Sequence, residues 1–233
     1  MRRIDYESEI RRALEENIAE VKQAVLSRDN AMSLKIRNYA ERFDLPIKVV
    51  EHKILKDSLF ANQFAKDPSK QSIHQKVAAG FIESITEVVN FMQLPAGGSG
   101  AKYICNDGIV RTGSNASHGT TKSIDFYWEY GDCAYYAAHK HTTDEGGAQD
   151  NQFHDLTEFL INASKSKVAN TFFIAIGDGK YYQRKYSEDG EVFATRLEFL
   201  NKKYGTKYAR ALTTDELESF MVEHSGNKVF SSS

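Results

Sequence analysis

Apolar residues in the first part of the chain recur at helical spacing, with Ile10, Leu14, Ile18, Val21 and Val25 at steps of four, four, three and four. That spacing lays one apolar stripe along a helix over residues 5–27. Arg28-Asp29-Asn30 interrupts it, and a second helix is expected from Ala31 to about Phe43, ended by Leu45-Pro46. Residues 46–54 (PIKVVEHKI) read as a short strand or an extended connector. Residues 57–71 are polar with weak periodicity, and Asp67-Pro68-Ser69 marks a turn and an internal boundary. A further helix is expected from about Ser69 through Ile73, Val77, Ala78, Phe81, Ile85, Val88 and Val89, with Glu83 and Glu87 on its other faces. Residues 94–100 (LPAGGSG) close it as a loop without the lysine or Ser/Thr of a phosphate-binding P-loop.

Shorter apolar runs follow. Residues 101–105 and 109–111 read as a hairpin turned by Asn106-Asp107-Gly108, so Asp107 belongs to turn chemistry. The loop at 112–121 (TGSNASHGTT) is too polar to build core, and its place just before Asp125 suits a DNA-contacting loop. A second hairpin is expected next: strand Ser123–Trp128, turn Gly131-Asp132, strand Cys133–Ala138, with His139, Lys140 and His141 at its end. A helix over 148–164 buries Phe153, Leu156, Phe159 and Leu160, and it carries Gln149 and Gln152 in its first turns, where amides and backbone N–H groups can face a phosphate. Residues 168–176 (VANTFFIAI) form an apolar strand, turned by Gly177-Asp178-Gly179 into Lys180-Tyr181-Tyr182. A short helix at 196–204, a last strand at 208–212 and a final helix opened by the capping sequence Thr213-Thr214-Asp215-Glu216 complete the pattern. Residues 225–233 are expected to form a flexible tail.

Composition narrows the class. The 233 residues are 41% hydrophobic and 27% charged, as in an ordinary soluble globular chain. No apolar run approaches the ~20 residues that cross a bilayer, and the N-terminus lacks a secretory core, so no membrane and a cytoplasmic location are expected. Cys105 and Cys133 fall in predicted strands as small buried hydrophobes, without the spacing of a zinc site. The formal charge of -2 argues against general polyanion binding but leaves room for a locally basic cleft. Residues 180–210 carry eight Lys and Arg against four Asp and Glu, interleaved with Tyr181, Tyr182, Tyr186, Tyr204 and Tyr208. Such a surface can contact phosphates and stack on bases, or be a solvated hairpin and helix.

The candidate chemistry lies between 122 and 162. Asp125 on one strand and Lys140 on its hairpin partner can converge on one site, a pairing that suits a hydrated divalent cation beside a phosphate. Each alone also fits a solvated strand end. The layout resembles the core of the PD-(D/E)xK nuclease superfamily, and above all type II restriction endonucleases. Those place an aspartate at the start of one strand, an acid-x-lysine triplet on the next, and a helix often bearing glutamine afterwards. Here Ile124-Asp125 takes the first place, Lys140 the lysine place, and Gln149 and Gln152 lie on the helix. Ala138 stands where the second acid belongs. Glu145 is the preferred replacement, with His139, Glu129, Asp150 or Gln152 as others, and Glu83 could approach from the preceding helix.

The resemblance implies an α/β fold: a three-layer nuclease-like core with a mixed central β-sheet flanked by helices, plus an N-terminal helical region. The expected division is 1–68 helical region, 69–224 catalytic core and 225–233 tail. The implied activity is Mg²⁺-dependent, sequence-specific hydrolysis of double-stranded DNA by a homodimer. In it Asp125 and Glu145 hold the metal, Lys140 acts on the water, and His139 is a possible substitute for Lys140. Lys122, Gln149, Gln152, Lys180, Arg184 and Lys185 are the expected DNA contacts. A repair or junction-resolving nuclease of the same superfamily, or an inactive DNA-binding module, are the other readings.

Overall fold

The computed structural model describes residues 4–67, 72–113, 123–143 and 147–225. The loop at 114–121, Lys122, Glu145 and the tail at 226–233 lie outside the described residues. The chain divides into two compact units, Asp5–Val77 on one side and Ala78–Ser233 with Met1–Ile4 on the other, so the division falls inside one helix.

The first unit is helical. Helix α1 (Tyr6–Leu26) is capped by the Asp5 carboxylate, which accepts from the Ser8 N–H, and α2 (Asn30–Arg42) is capped in the same way by Asp29 and the Met32 N–H. Arg28, between them, takes a positive φ of 56°. Residues 46–54 form neither strand nor connector. Ile47–Lys56 is helix α3, with Val50 and Ile54, one turn apart, fully buried among Val21, Met32, Ile36 and Ala40. Burial of that one face outweighs the strand preference of its β-branched residues. Asp57 ends α3 and caps α4 (Ser58–Asn62) by accepting from the Leu59 and Phe60 N–H groups.

The second unit is built on a five-stranded mixed sheet. Helix α5 (Ile73–Glu83) leads into β1 (Val88–Gln93), so the long helix expected to reach Val89 stops six residues earlier. The Ser84 N–H still bonds back to the Gly80 and Phe81 carbonyls, but Glu87 takes a φ of 72° and the chain turns out of the helix. Val88 and Val89 then pair with Tyr130 and Glu129. Next come the hairpin β2 (Lys102–Ile104) and β3 (Val110–Thr112), then β4 (Phe126–Tyr130) and β5 (Cys133–His141), joined by Gly131-Asp132 with Gly131 at φ 56°. Helix α6 (Gly147–Ala163) returns the chain to β6 (Thr171–Asp178).

Strand β6 includes Gly177 and Asp178, which the sequence pattern assigns to a turn, and Lys180–Gln183 forms a helical turn, α7. The hairpin β7 (Tyr186–Glu188) and β8 (Glu191–Phe193), helix α8 (Arg196–Tyr204), strand β9 (Ala209–Leu212) and helix α9 (Leu217–His224) follow. The Thr213 and Glu216 side chains form the expected capping box before α9. The sheet order is β1-β4-β5-β6-β9, with β4 antiparallel to its neighbours and β5, β6 and β9 parallel. Parallel neighbours need crossovers, which α6 and the α7–α8 segment supply.

Helices cover both faces. On one, Leu156, Phe159 and Leu160 of α6 and Leu197 and Leu200 of α8 pack on Ala138, Phe173, Ala175 and Ala211. On the other, Ala78 and Ile82 of α5 and Leu217 and Met221 of α9 pack on Trp128, Tyr135, Ile174 and Ile176. Trp128, Tyr135 and Phe172 stack across three strands, with ring centroids 5.4 and 5.2 Å apart. Both cysteines are buried and free. Asp107 accepts from the Ile109 N–H in its turn, and hydrogen bonds from Arg111 hold its carboxyl down at about 2. In the first unit, Ile54→Ala should lower stability to urea by about 2–5 kcal/mol, while the exposed Lys48→Ala should stay within about 0.5 kcal/mol of the parent.

Candidate functional site

Because β5, β6 and β9 run parallel, their carboxyl ends meet at one edge of the sheet, where ligands of open α/β folds commonly bind. His141 lies opposite Asp178 there, and Ile176 opposite Leu212. Strand β4 runs the other way, so its start, preceded by Asp125, belongs to the same edge. The β4–β5 ladder has its last pair at Phe126 and Ala137. Beyond it the Asp125 N–H donates to the Ala137 carbonyl, and the Asp125 carboxylate accepts from the His139 N–H at 2.8 Å. The side chain of Asp125 thus extends the pairing where backbone partners have run out. Strict alternation breaks at this point: Ile124 packs in the cluster under α6, while Phe126, Trp128 and Tyr130 pack in the opposite one.

Lys140, the next residue on β5, turns to α6 and meets Asp155, with Nζ 3.2 Å from Oδ2 and side chains 26% and 13% exposed. Two carboxylates are therefore clamped to consecutive residues of β5, Asp125 on the backbone of His139 and Asp155 on the ammonium of Lys140. Asp155 is the acid that sequence reasoning missed. Its signal was present: it follows Gln152 by one helical turn and directly precedes Leu156 of the buried face.

His139 points its ring the other way. Nε2 lies 3.2 Å from Asp178 Oδ2, with both residues 5% exposed. With Asp178 ionised, its carboxylate only accepts and Nε2 carries the hydrogen of that bond. Asp178 also accepts from the Thr214 N–H at 2.9 Å and from the Thr214 hydroxyl, and its carbonyl accepts from the Thr142 N–H. The Thr214 and His139 groups compensate for the burial of the carboxylate.

Of the remaining candidates, Gln152 stays at the same strand ends, bonded to Thr142 two residues past Lys140. Ala138 is buried beneath α6, and no acid stands in its place on the strand. Glu129 accepts from Asn90 and from the Tyr127 hydroxyl, and Asp150 accepts from the Tyr181 hydroxyl at 2.8 Å. Gln152 accepts from the Thr142 hydroxyl, Gln149 is half-buried, and Glu83 is exposed. Lys180, Arg184 and Lys185 are exposed just past the end of β6.

Tyr181 and Tyr182 are not available to stack on bases. Both are buried under α8, with the Arg196 guanidinium 3.9 Å from the Tyr181 ring centre. Burial, and then the hydrogen bond to Asp150, push the Tyr181 hydroxyl up to about 12, so it is a donor at neutral pH. Only the residues around them, from 180 to 210, remain as possible contact surface.

The donor set suits some ions better than others. Among the described residues, no three or more His, Cys, Asp or Glu side chains gather to hold a metal. A three- or four-ligand zinc cage is therefore not built from them. Magnesium takes one or two carboxylates and completes its shell with water and phosphate oxygens. Among the described residues, no helix is long and apolar enough to cross a membrane. No family model, curated protein or solved structure matches the chain.

Two substitutions test this description. Asp178→Ala strands the Thr214 and His139 donors in the interior and should cost about 3–5 kcal/mol in chemical denaturation. At Gly179, φ is 93° and an added Cβ would lie 2.2 Å from the Thr142 carbonyl oxygen. Gly179→Ala should therefore lower the melting temperature by several degrees, on the order of a 1–3 kcal/mol strain.

Proposed function

We propose that this chain is a Mg²⁺-dependent endonuclease acting on double-stranded DNA, of the type II restriction class that its sequence resembles. The observation that carries the reading is the hydrogen bond from the His139 N–H to the Asp125 carboxylate. It brings an acid from the head of β4 against the residue that precedes Lys140, which supports the pairing of aspartate and lysine that the resemblance implies. The order of elements supports the same reading: a helix, an edge strand, then, after the separate β2–β3 hairpin, the β4–β5 hairpin, a crossover helix and a parallel strand.

When bound, Mg²⁺ polarises a phosphodiester and lowers the pKa of a coordinated water. Asp125 and a second acid, Glu145 or Asp155, would hold it. Lys140 orients the attacking water and offsets charge that develops on the phosphate. Its Asp155 partner keeps the ammonium directed along α6, where a scissile phosphate has to compete for it. Lys180, Arg184 and Lys185 supply positive charge beside the strand ends, where backbone phosphates would run. A homodimer would match the two-fold symmetry of a palindromic duplex site.

Ala138, and the Lys140–Asp155 ion pair, favour a second reading, a DNA-binding module that keeps the architecture without the chemistry. Incubation of supercoiled plasmid with the protein in Mg²⁺ and in EDTA separates the two. The enzyme reading expects discrete linear fragments with Mg²⁺, none with EDTA, and a fall of about 10²–10⁴ in rate for Asp125→Ala and for Lys140→Ala. Gel retardation of duplex DNA with no cleavage in Mg²⁺ or Mn²⁺ would establish the module instead. Cuts confined to branched or damaged substrates would identify a repair enzyme.

A further inference from the structure

We infer that Asp178 and Thr214 are positioning residues for Asp125 and act on it through His139. Four residues from four segments join in one run of hydrogen bonds. The Thr214 N–H and hydroxyl donate to Asp178, the His139 Nε2 faces Asp178 Oδ2 at 3.2 Å, and the His139 N–H donates to Asp125 Oδ2 at 2.8 Å. Asp178, His139 and Thr214 are at most 5% exposed, so water does not compete for the bonds among these three, while Asp125 at the end of the run is half-buried.

The geometry explains why the run matters for Asp125. Past Ala137, β5 has lost the β4 ladder on one side and keeps the β6 ladder on the other. Its next free-edge amide, that of His139, is met by a side chain. A strand end held on one edge frays readily. The His139 ring anchors it from the opposite face of the sheet, on a carboxylate that is itself fixed by the start of the C-terminal helical segment. Anchoring the ring therefore fixes the N–H, and the N–H fixes the carboxylate. The consequence for a bound ion rests on the nuclease reading above; the hydrogen-bonded run does not.

The test uses the full chain, ¹⁵N-labelled, with Asp178→Asn and Thr214→Val. Hydrogen exchange is followed at the His139 amide and at two control amides of the same sheet, Phe173 (bonded to the Tyr208 carbonyl) and Ala134 (bonded to the Asn170 carbonyl). Mn²⁺ is titrated in parallel. Asp178→Asn should speed His139 exchange about tenfold or more with the controls within about twofold, Thr214→Val should act in the same direction, and half-saturating Mn²⁺ should rise about 10-fold. Thr214→Val, which removes one hydroxyl, carries the test if Asp178→Asn does not fold.

Unchanged His139 exchange in the folded variants overturns the inference, as does equal acceleration of the control amides, which marks general loosening. If the amides respond as expected while the parent protein binds no Mn²⁺ and cuts no plasmid, the nuclease reading fails and the positioning of Asp125 stands.

Discussion

A carboxylate at the end of a buried strand stays charged only where donors replace the water it has lost. Asp178 ends β6 at 5% exposure, with Thr214 donating from one side and the His139 ring from the other. The arrangement requires three strand ends to be level. His141 and Asp178 must pair in register, Leu212 must arrive beside Ile176 so that Thr214 can turn back, and β5 must present His139 with its ring towards α9. A shift of one residue in β5 would put Lys140 in place of the histidine and bury an ammonium in the apolar layer. The polar bond set thus specifies register more than it adds stability, since an apolar replacement of the whole set need cost little.

Much of the architecture was legible from spacing. The N-terminal helices, the two hairpins with their glycine turns, α6, α8, β9 and the capping box before α9 all arise where local pattern and tertiary packing agree. The departures come where they disagree. Residues 47–56 are rich in valine and isoleucine, yet Val50 and Ile54 find a buried partner only as a helix. Val88 and Val89 continue a helical stripe on paper, but they pair with β4 once Glu87 takes its positive φ. Gly177 and Asp178 look like a turn because nothing local reveals that buried donors await the aspartate.

The candidate site was legible in the same uneven way. Asp125 and His139 are joined, and Lys140 is their neighbour, because hairpin register follows from a two-residue turn. Asp155 and Asp178 were missed because each takes its role from a contact with another segment, Asp155 with Lys140 and Asp178 with His139 and Thr214. The tyrosines of α7 show the opposite error, since their alternation with basic residues suggests a surface, whereas α8 folds over them.

The position of Asp155 changes what its acid can depend on. A carboxylate carried at 138 would be placed by the strand ladder alone, which is fixed by hydrogen bonds along its whole length. Ala138 instead lies under α6, in contact with the cluster formed by Leu156, Phe159 and Leu160. On the same helix, Asp155 reaches Lys140 at 3.2 Å. An acid at 138 would instead be carried into the apolar cluster beneath α6, where a charged group needs partners that this cluster does not offer. The helix acid is placed by apolar packing of three side chains, which is short-ranged and tolerates little displacement. Any chemistry that uses Asp155 is consequently tied to how α6 is seated, and α6 is seated by the same core that holds β5 and β6 parallel.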